Sequence, residues 1–218
     1  MKMHHIYHLP HAQNSDIYLR SKHIKILLSL LVISFNQHVF SQQIIYSTDF
    51  GNTGTALGSL APGWASSGSN HLQISTNAIS NNYISPIAAS GAGNLCDCGN
   101  SSGTAIATIS SGISTINFEE IRVLFGYRRT AAYNGTVNLE WSIDGTNWNQ
   151  LPFTALNNSS WSLANTTWFT LPATASNQKD LSFRFIFTRN STGQENFRID
   201  DFYVLGKSTT GITQPHHY

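Results

Sequence analysis

Apolar and polar residues alternate over much of this chain, and the alternation predicts β-strands. Every second residue is apolar from Ile121 to Tyr127 and again from Leu181 to Phe187. Such a period of two places the apolar side chains on one face of a strand. Because no window shows a convincing helical period, we expect a chain built from strands and turns.

A hairpin is predicted in the centre of the chain. Apolar side chains alternate inward over residues 137–141, Asp144-Gly145 supplies turn residues, and Trp148 begins the return. A two-residue loop would place Trp141 and Trp148 directly opposite each other. A three-residue loop with a bulge would offset them.

The run Phe197–Gly206 reads as a buried strand that contains two adjacent carboxylates, Asp200 and Asp201. A buried charge needs a hydrogen-bonded or ionic partner. A metal ion is one candidate partner. The alternative is that the two aspartates cap a strand bulge or pair with Arg198 or Arg184.

Together these patterns predict an all-β fold. Ser, Thr, Asn and Gly are abundant and Lys and Glu are scarce, which favours strands and turns over helices. With about eight or nine strands and no helix to cover a sheet, two packed antiparallel sheets form the simplest solution, a jelly-roll β-sandwich. We expect this domain to span residues 42–206, with a polar tail at 207–218.

Residues 1–41 have the features of an N-terminal extension with a cleaved signal peptide. Lys22 and Lys25 precede the apolar run Ile26–Phe35, and Val39–Ser41 offers small residues for cleavage after Ser41. The run is shorter than the roughly 20 apolar residues of a spanning helix, so no lasting membrane span is expected. The sequence therefore predicts a protein that is secreted or held at the cell surface.

Charge and residue content disfavour several classes of function. Without residues 1–41 the chain keeps 8 basic and 10 acidic residues, a net charge of −2, and lacks the basic excess of a nucleic-acid binder. Six of the nine histidines also lie in that segment. No nucleophile elbow, zinc motif or phosphate loop is present, and the glutamates form no same-face pair. We therefore expect no enzymatic activity.

The only cysteines of the chain are Cys96 and Cys98. A disulfide is the default expectation in an exported protein, although one intervening residue makes the ring tight and readily reduced. Free or intermolecular thiols are the alternative. A zinc site is not expected, because four ligands of the usual kind are missing.

Five motifs are spread along the chain: Asp49-Phe50, Pro62-Gly63-Trp64, Gly112–Thr115, Trp141–Gly145 with Trp148, and Phe197–Asp201. Together they resemble exported jelly-roll domains of Bacteroidetes-type bacteria, of the galactose-binding-like and carbohydrate-binding-module kind. The resemblance covers most of Ile44–Gly206 and implies a fold more than a function.

This resemblance implies a structural calcium ion. In carbohydrate-binding relatives, an acidic residue of the first strand and an aspartate of the final pair hold calcium, which nominates Asp49 with Asp200 or Asp201. Carboxylate and carbonyl oxygens suit calcium, which takes about 6–8 oxygen ligands. Relatives often have Glu where this chain has Asp49, so the carboxylate reaches less far.

A sugar site needs exposed aromatic rings beside hydrogen-bonding side chains. Trp64, Trp141 and Trp148 fit the core or a turn better than such a site. The polar context of other residues nominates five ligand-binding candidates: Trp161, Tyr133, Tyr83, Arg128 and Arg129.

The sequence thus favours an exported, non-catalytic module that recognises carbohydrate at the cell surface or outside the cell. An adhesin or matrix-type domain that binds a surface protein is the alternative. A jelly-roll glycosidase is the remaining option, although its carboxylate pair has no counterpart in the pattern.

Overall fold

The structure is a computed structural model of the chain. The signal-peptide prediction for residues 1–41, the candidate Tyr83 and the end of the polar tail lie outside the described residues. Those described are 42–50, 63–69, 72–75, 93–99, 101–109, 111–155, 160–164, 168–190, 193 and 195–210. No helix among them is long and apolar enough to cross a membrane.

Twelve β-strands lie in this part of the chain, with one short 3-10 turn at Ala173–Ala175. The strands are β1 (Gln42–Thr48), β2 (Trp64–Gly68), β3 (Leu72–Ser75), β4 (Asn94–Asp97), β5 (Gly103–Ile109), β6 (Phe118–Arg129), β7 (Gly135–Ser142), β8 (Asn149–Leu151), β9 (Ser162–Leu163), β10 (Phe169–Thr170), β11 (Ser182–Arg189) and β12 (Phe197–Ser208).

The strands form two antiparallel sheets, which confirms the predicted jelly-roll sandwich. Sheet I has seven strands in the order β10-β6-β12-β4-β3, with β1 also paired to β12 and β9 to β6. Sheet II has five strands in the order β2-β5-β11-β7-β8. The strand number exceeds the expected eight or nine because the sequence did not predict β2, β4 and β9, which are short and show no clear alternation.

The core lies between the sheets and is rich in aromatic rings. The alternating faces predicted for Ile121–Tyr127 and Leu181–Phe187 are buried in it, as is Trp64. The Phe125 and Phe185 ring centroids lie 5.1 Å apart, and Phe185 lies 5.7 Å from Phe202. Burying one such ring contributes about 1.5–3 kcal/mol relative to leaving it exposed, so this aromatic layer is a main source of stability.

A β-bulge interrupts β12 at Asp201. Asp200 pairs with Gly126 of β6 and Tyr203 pairs with Leu124, so β12 holds one extra residue at this point. Asp201 takes up that residue with a positive φ of 50°. Because strand side chains alternate, the extra residue lets both Ile199 and Phe202 face the core, which an unbroken strand could not do.

The central hairpin has a longer loop than either predicted alternative. Trp141 pairs with Asn149, so Trp148 is not opposite Trp141. The Asp144 carboxylate Oδ1 accepts the backbone N–H groups of Thr146 (2.8 Å) and Asn147 (2.7 Å). This side chain stabilises a wide turn in place of a two-residue one. Trp148 packs instead against Arg184, whose guanidinium carbon lies 4.1 Å from the ring centroid.

Cys96 and Cys98 form an internal disulfide. Their Cα atoms lie 5.3 Å apart, within the usual range for a bridge. The intramolecular alternative is therefore the one that the structure adopts. The residue between them, Asp97, ends β4 and points into the sandwich, where it is fully buried.

Candidate functional site

Two of the predicted aromatic platforms are buried. Tyr133 is 3 % exposed and Trp161 is 4 % exposed, so neither ring is the open stacking surface that the sequence predicted. Tyr133 packs against Phe197, with ring centroids 5.6 Å apart, and Trp161 packs against Leu163. The sequence predicted exposure for both rings because their neighbours in sequence are polar. Their burial is determined by tertiary contacts, which those neighbours do not indicate.

Arg128 and Arg129 lie on opposite faces of sheet I. Both are in β6, where successive side chains alternate, and Arg129 is in register with Phe197 and on the same face as Tyr127. Arg129 therefore points between the two sheets, whereas Arg128 points away from sheet II. The sequence grouped these neighbours as one site, but they serve two different surfaces.

A cavity of about 240 Å³ opens beside Arg129. We call it the Arg129 cavity. It brings together two of the predicted site residues, Arg129 and Tyr133. The rest of its lining comes from β7, from the segment after β8 and from β12: Gly135, Thr136, Val137, Asn138, Phe153, Thr154, Ala155 and Phe197.

Arg129 is the cation of this cavity and has only neutral partners. Its Nη2 donates to the Tyr133 carbonyl oxygen (3.0 Å) and its Nη1 to that of Ala155 (3.4 Å). Its Nε is buried and donates to no acceptor in the described part of the chain. No described carboxylate lies within ion-pair distance of it, so the guanidinium keeps donor capacity for a ligand oxygen.

A buried polar network fixes the Tyr133 wall of the cavity. The Tyr133 hydroxyl donates to Asp97 Oδ2 (2.5 Å), and Arg189 Nη1 donates to Asp97 Oδ1 (3.2 Å). Arg189 also contacts Glu195, at 3.4 Å. Burial and the adjacent Asp97 charge raise the pKa of the Tyr133 phenol well above its usual range, so the phenol stays a neutral donor.

This network was not predicted, although the pattern contained a signal for it. Arg189 lies two residues after Phe187, the last apolar residue on the inward face of β11. Alternation therefore places the Arg189 charge on that inward face. An inward arginine requires a buried partner. Its partner Asp97 lies on a strand far away in sequence, so the sequence alone did not reveal the pair.

The three predicted metal ligands lie near the β12 bulge. Asp200 is fully buried, and its Oδ1 accepts the Asp201 N–H (2.7 Å). Its Oδ2 has no hydrogen-bond partner among the residues the structure describes. Burial, followed by the charges of Asp201 and Asp49, raises the pKa of Asp200 to about 9. Asp49 is close because it follows Thr48, which pairs with Phe202.

The alternative partners predicted for this acidic pair are wrong, while the predicted bulge is confirmed. Arg184 pairs with Glu140 (2.6 Å), and Arg198 bonds to neutral oxygens of Asn94 (3.2 Å) and Asn196 (3.1 Å). Neither arginine forms an ion pair with Asp200 or Asp201. The repulsion between these carboxylates is therefore not relieved by either cation.

The donor chemistry at the bulge suits a hard cation. Asp200 Oδ2 offers a buried carboxylate oxygen without a donor, and calcium takes such oxygens together with carbonyl groups. Within the described ranges, however, no three His, Cys, Asp or Glu side chains are placed to hold a metal ion. An ion beside Asp200 would therefore take one further carboxylate, from Asp49 or Asp201, and carbonyl oxygens for the rest of its coordination.

All four glutamates considered for catalysis lie in ion pairs. Glu140 pairs with Arg184 and Glu195 with Arg189. Glu119 and Glu120 both contact Lys207, at 3.3 Å and 2.9 Å. Each carboxylate thus has a cationic neighbour that accounts for its position.

No protein-family model matches this chain, and no curated protein matches it significantly. Its structure is similar to carbohydrate-binding modules and to adhesin domains of a gingipain. What the chain binds must be inferred from its own residues, because all of these similarities are at low identity.

Three solved structures illustrate the similarity. The K3 adhesin domain of Lys-gingipain from Porphyromonas gingivalis has a TM-score of 0.48 and 13% identity over 76% of this chain and 99% of that one. TmCBM61 in complex with β-1,4-galactotriose has a TM-score of 0.45 and 15% identity over 67% of this chain and 90% of that one. The CBM22-1 xylan-binding domain from Paenibacillus barcinonensis Xyn10C has a TM-score of 0.41 and 13% identity over 78% of this chain and 98% of that one.

Proposed function

We propose that this domain is a non-catalytic binding module that recognises carbohydrate through the Arg129 cavity. The observation that carries the proposal is the combination of an apolar wall at Phe153 with a half-buried guanidinium whose Nη atoms keep donor capacity. A sugar ring has an apolar face and a rim of hydroxyl groups, so it needs both features at once.

The size of the cavity limits how much of a glycan it holds. Its volume of about 240 Å³ is slightly below the roughly 300–1,000 Å³ of sites for drug-sized ligands. We therefore propose that it receives one sugar residue of a longer chain. Thr136 and Thr154 are exposed beside it and would offer hydroxyl groups to the sugar next in the chain.

We propose that the module works outside the cell, secreted or at the cell surface. The Cys96–Cys98 disulfide supports this location, because such bonds persist mainly in oxidising compartments. The apolar segment Ile26–Phe35 supports it independently, since it has the length and flanking charges of a signal peptide.

We propose further that calcium bound by Asp200, together with Asp49 or Asp201, stabilises the fold. The buried Asp200 oxygen without a donor supports this role. A bound cation would offset the repulsion of the carboxylates and attach the end of β1 to the bulge of β12. The ion would have a structural role, since the Arg129 cavity is lined by other residues.

Two cavity variants test the carbohydrate proposal. Arg129→Gln removes the guanidinium, and Ala155→Trp fills the cavity with a large ring. We expect both to weaken retention in affinity gels containing galactan, xylan or polygalacturonate by about tenfold or more, since a charged hydrogen bond contributes about 1.5–3 kcal/mol. Circular dichroism and thermal unfolding would show that each variant is folded.

Arg128→Gln is the matched control, because it removes the same charge one residue away on the opposite face of β6. Its retention in the gel carrying the best neutral polysaccharide should equal that of the unaltered protein. If no polysaccharide binds the unaltered protein, while the domain still adheres to cell surfaces after both cavity changes, the adhesin alternative replaces this proposal.

A further inference from the structure

Two arginines stand side by side on the face of sheet I that points away from sheet II. Arg198 of β12 is in direct register with Arg128 of β6. Side chains that are directly opposite in an antiparallel pair have Cβ atoms about 4.5–5.5 Å apart. We call these two residues the arginine pair. Like charges in this arrangement destabilise a sheet unless something neutralises them.

No carboxylate neutralises the arginine pair in the described part of the chain. Arg198 is only 5 % exposed, and its donors reach neutral oxygens of Ser75, Asn94 and Asn196. Arg128 is partly exposed, and its Nε is buried without an acceptor. Asp200 lies two residues beyond Arg198 on the same strand but is not within ion-pair distance of it.

The contrast with other arginines of the domain makes this arrangement unusual. Arg122, Arg184 and Arg189 each have a carboxylate partner, at 3.5, 2.6 and 3.2 Å. Arg122 is especially informative, because it lies on the same strand and the same face as Arg128. Arg122 has Glu120 as its carboxylate partner, whereas the arginine pair has no carboxylate partner among the described residues.

An aromatic residue, Trp161, precedes β9 on the β6 side of the pair. Ser162 of β9 pairs with Tyr127, so the preceding residue, Trp161, lies at the level of Arg128 along sheet I. Trp161 contacts Leu163, which is in register with Gly126 and therefore on the same face. The cluster of Trp161 and Leu163 thus lies on the same face of sheet I as the arginine pair, and charge interactions near apolar side chains are stronger than in open water.

We infer that the arginine pair is a binding site for an oxyanion, a carboxylate or sulfate group carried by a glycan or present as a free ion. A guanidinium binds such groups through two parallel hydrogen bonds, and the two Nη atoms of Arg128, which is partly exposed, can form them. The bound group would relieve the repulsion between the two arginines. This site is separate from the Arg129 cavity, because Arg128 and Arg129 point to opposite faces of sheet I.

Arg128→Gln tests this inference, with Arg122→Gln as the control of equal charge change on the same face. We expect sodium sulfate to raise the unfolding temperature of the unaltered protein and of Arg122→Gln more than sodium chloride does at equal ionic strength. Arg128→Gln should lose that excess. In sodium chloride, Arg128→Gln should be as stable as the unaltered protein or more stable, because it removes a like-charge contact.

Sulfate also stabilises proteins generally, by exclusion from their surface. An equal rise in all three proteins would therefore overturn the inference. Titration calorimetry with sodium sulfate and sodium acetate should show binding weakened at least about tenfold by Arg128→Gln, the size expected for a lost charged hydrogen bond. Binding of dextran sulfate is then compared with binding of dextran and of inorganic sulfate. If the oxyanion is carried by a glycan, dextran sulfate should bind more tightly than inorganic sulfate. If it is a free ion, dextran sulfate should have no such advantage.

Discussion

Asp97 of β4 and Arg189 of β11 form an ion pair that joins the two sheets through the core. Arg189 Nη1 lies 3.2 Å from Asp97 Oδ1, and the two side chains are 1 % and 0 % exposed. The second oxygen of Asp97 accepts the Tyr133 hydroxyl, at 2.5 Å. This pair therefore links the packing of the sandwich to the wall of the Arg129 cavity.

Asp97→Asn should strongly destabilise the domain. The substitution leaves the Arg189 charge buried without its full counterion, and breaking a buried pair in this way costs about 3–5 kcal/mol. Urea unfolding of the two proteins measures the difference.

Glu140→Gln is the control for this prediction. It breaks the pair with Arg184, whose side chains are 19 % and 25 % exposed, so water replaces the lost partner and the cost should be near 1 kcal/mol. Equal losses in the two variants would show that burial does not govern the strength of the Asp97–Arg189 pair.

The elements that the sequence predicted are those set by local alternation. The buried faces of two strands, Ile121–Tyr127 and Leu181–Phe187, were predicted correctly. The direction of a side chain in a strand depends only on its position along that strand. The Asp201 bulge depends on how β12 pairs with β6, which is a long-range property. The pattern therefore predicted a bulge only as one of several alternative explanations for the acidic pair.

The candidate site was predicted less well, for the same reason. Arg129 and Tyr133 were named, but the cavity that they line also needs β7 and the segment around Phe153, whose proximity is set by the tertiary fold. Tyr133 and Trp161 were expected to be exposed because their neighbours are polar. The arginine pair was missed because only the register of β6 and β12 places Arg198 beside Arg128.

The metal-free domain should lose stability as pH rises from about 4 to about 9. The pKa of Asp200 is raised in the folded state from its ordinary 3.8 to about 9. Between these values the folded protein holds a proton that the unfolded chain has released, so unfolding becomes easier as pH increases. This stabilising contribution is complete below the unfolded pKa and is lost as pH passes the folded one.

Urea unfolding in a chelating buffer at several pH values measures this slope. Asp200→Asn should flatten it, because an amide does not titrate. Asp180→Asn, which changes an exposed carboxylate, should leave the slope as it is. A slope that survives in Asp200→Asn would assign the pH dependence to another group.

Calcium should reverse the effect of high pH on stability. If Asp200 binds the ion together with Asp49 or Asp201, ionised Asp200 becomes a ligand, and saturating calcium at about a hundred times Kd should add about 2.7 kcal/mol to the free energy of unfolding. Thermal unfolding at pH 8 with calcium, and then with a chelator, measures the gain.

The variant for the calcium prediction is Asp200→Asn/Asp201→Asn. Asn is preferred over Ala at position 201 because the positive φ of 50° there is tolerated by Asn and disfavoured for most other residues. The variant should show no calcium-dependent gain. No gain in the unaltered protein would mean that a protonated Asp200 alone satisfies the bulge.

Deleting Asp201 should destabilise the domain far more than replacing it. The deletion removes the extra residue of β12, so every later side chain of the strand moves to the opposite face if pairing with β6 is kept. Phe202 would then leave the aromatic layer, where it lies 5.3 Å from Phe183 and 5.7 Å from Phe185. Removing a buried phenylalanine from a core costs about 3–5 kcal/mol.

The point variant Asp201→Asn separates this effect from the loss of the carboxylate. It keeps the chain length and the positive φ, so Phe202 stays buried and the metal-free protein should lose far less stability than the deletion variant does. Urea unfolding ranks the two variants. Similar stabilities for the deletion and for Asp201→Asn would mean that β12 slides along β6 to restore its register, so that the bulge does not determine which side chains reach the core.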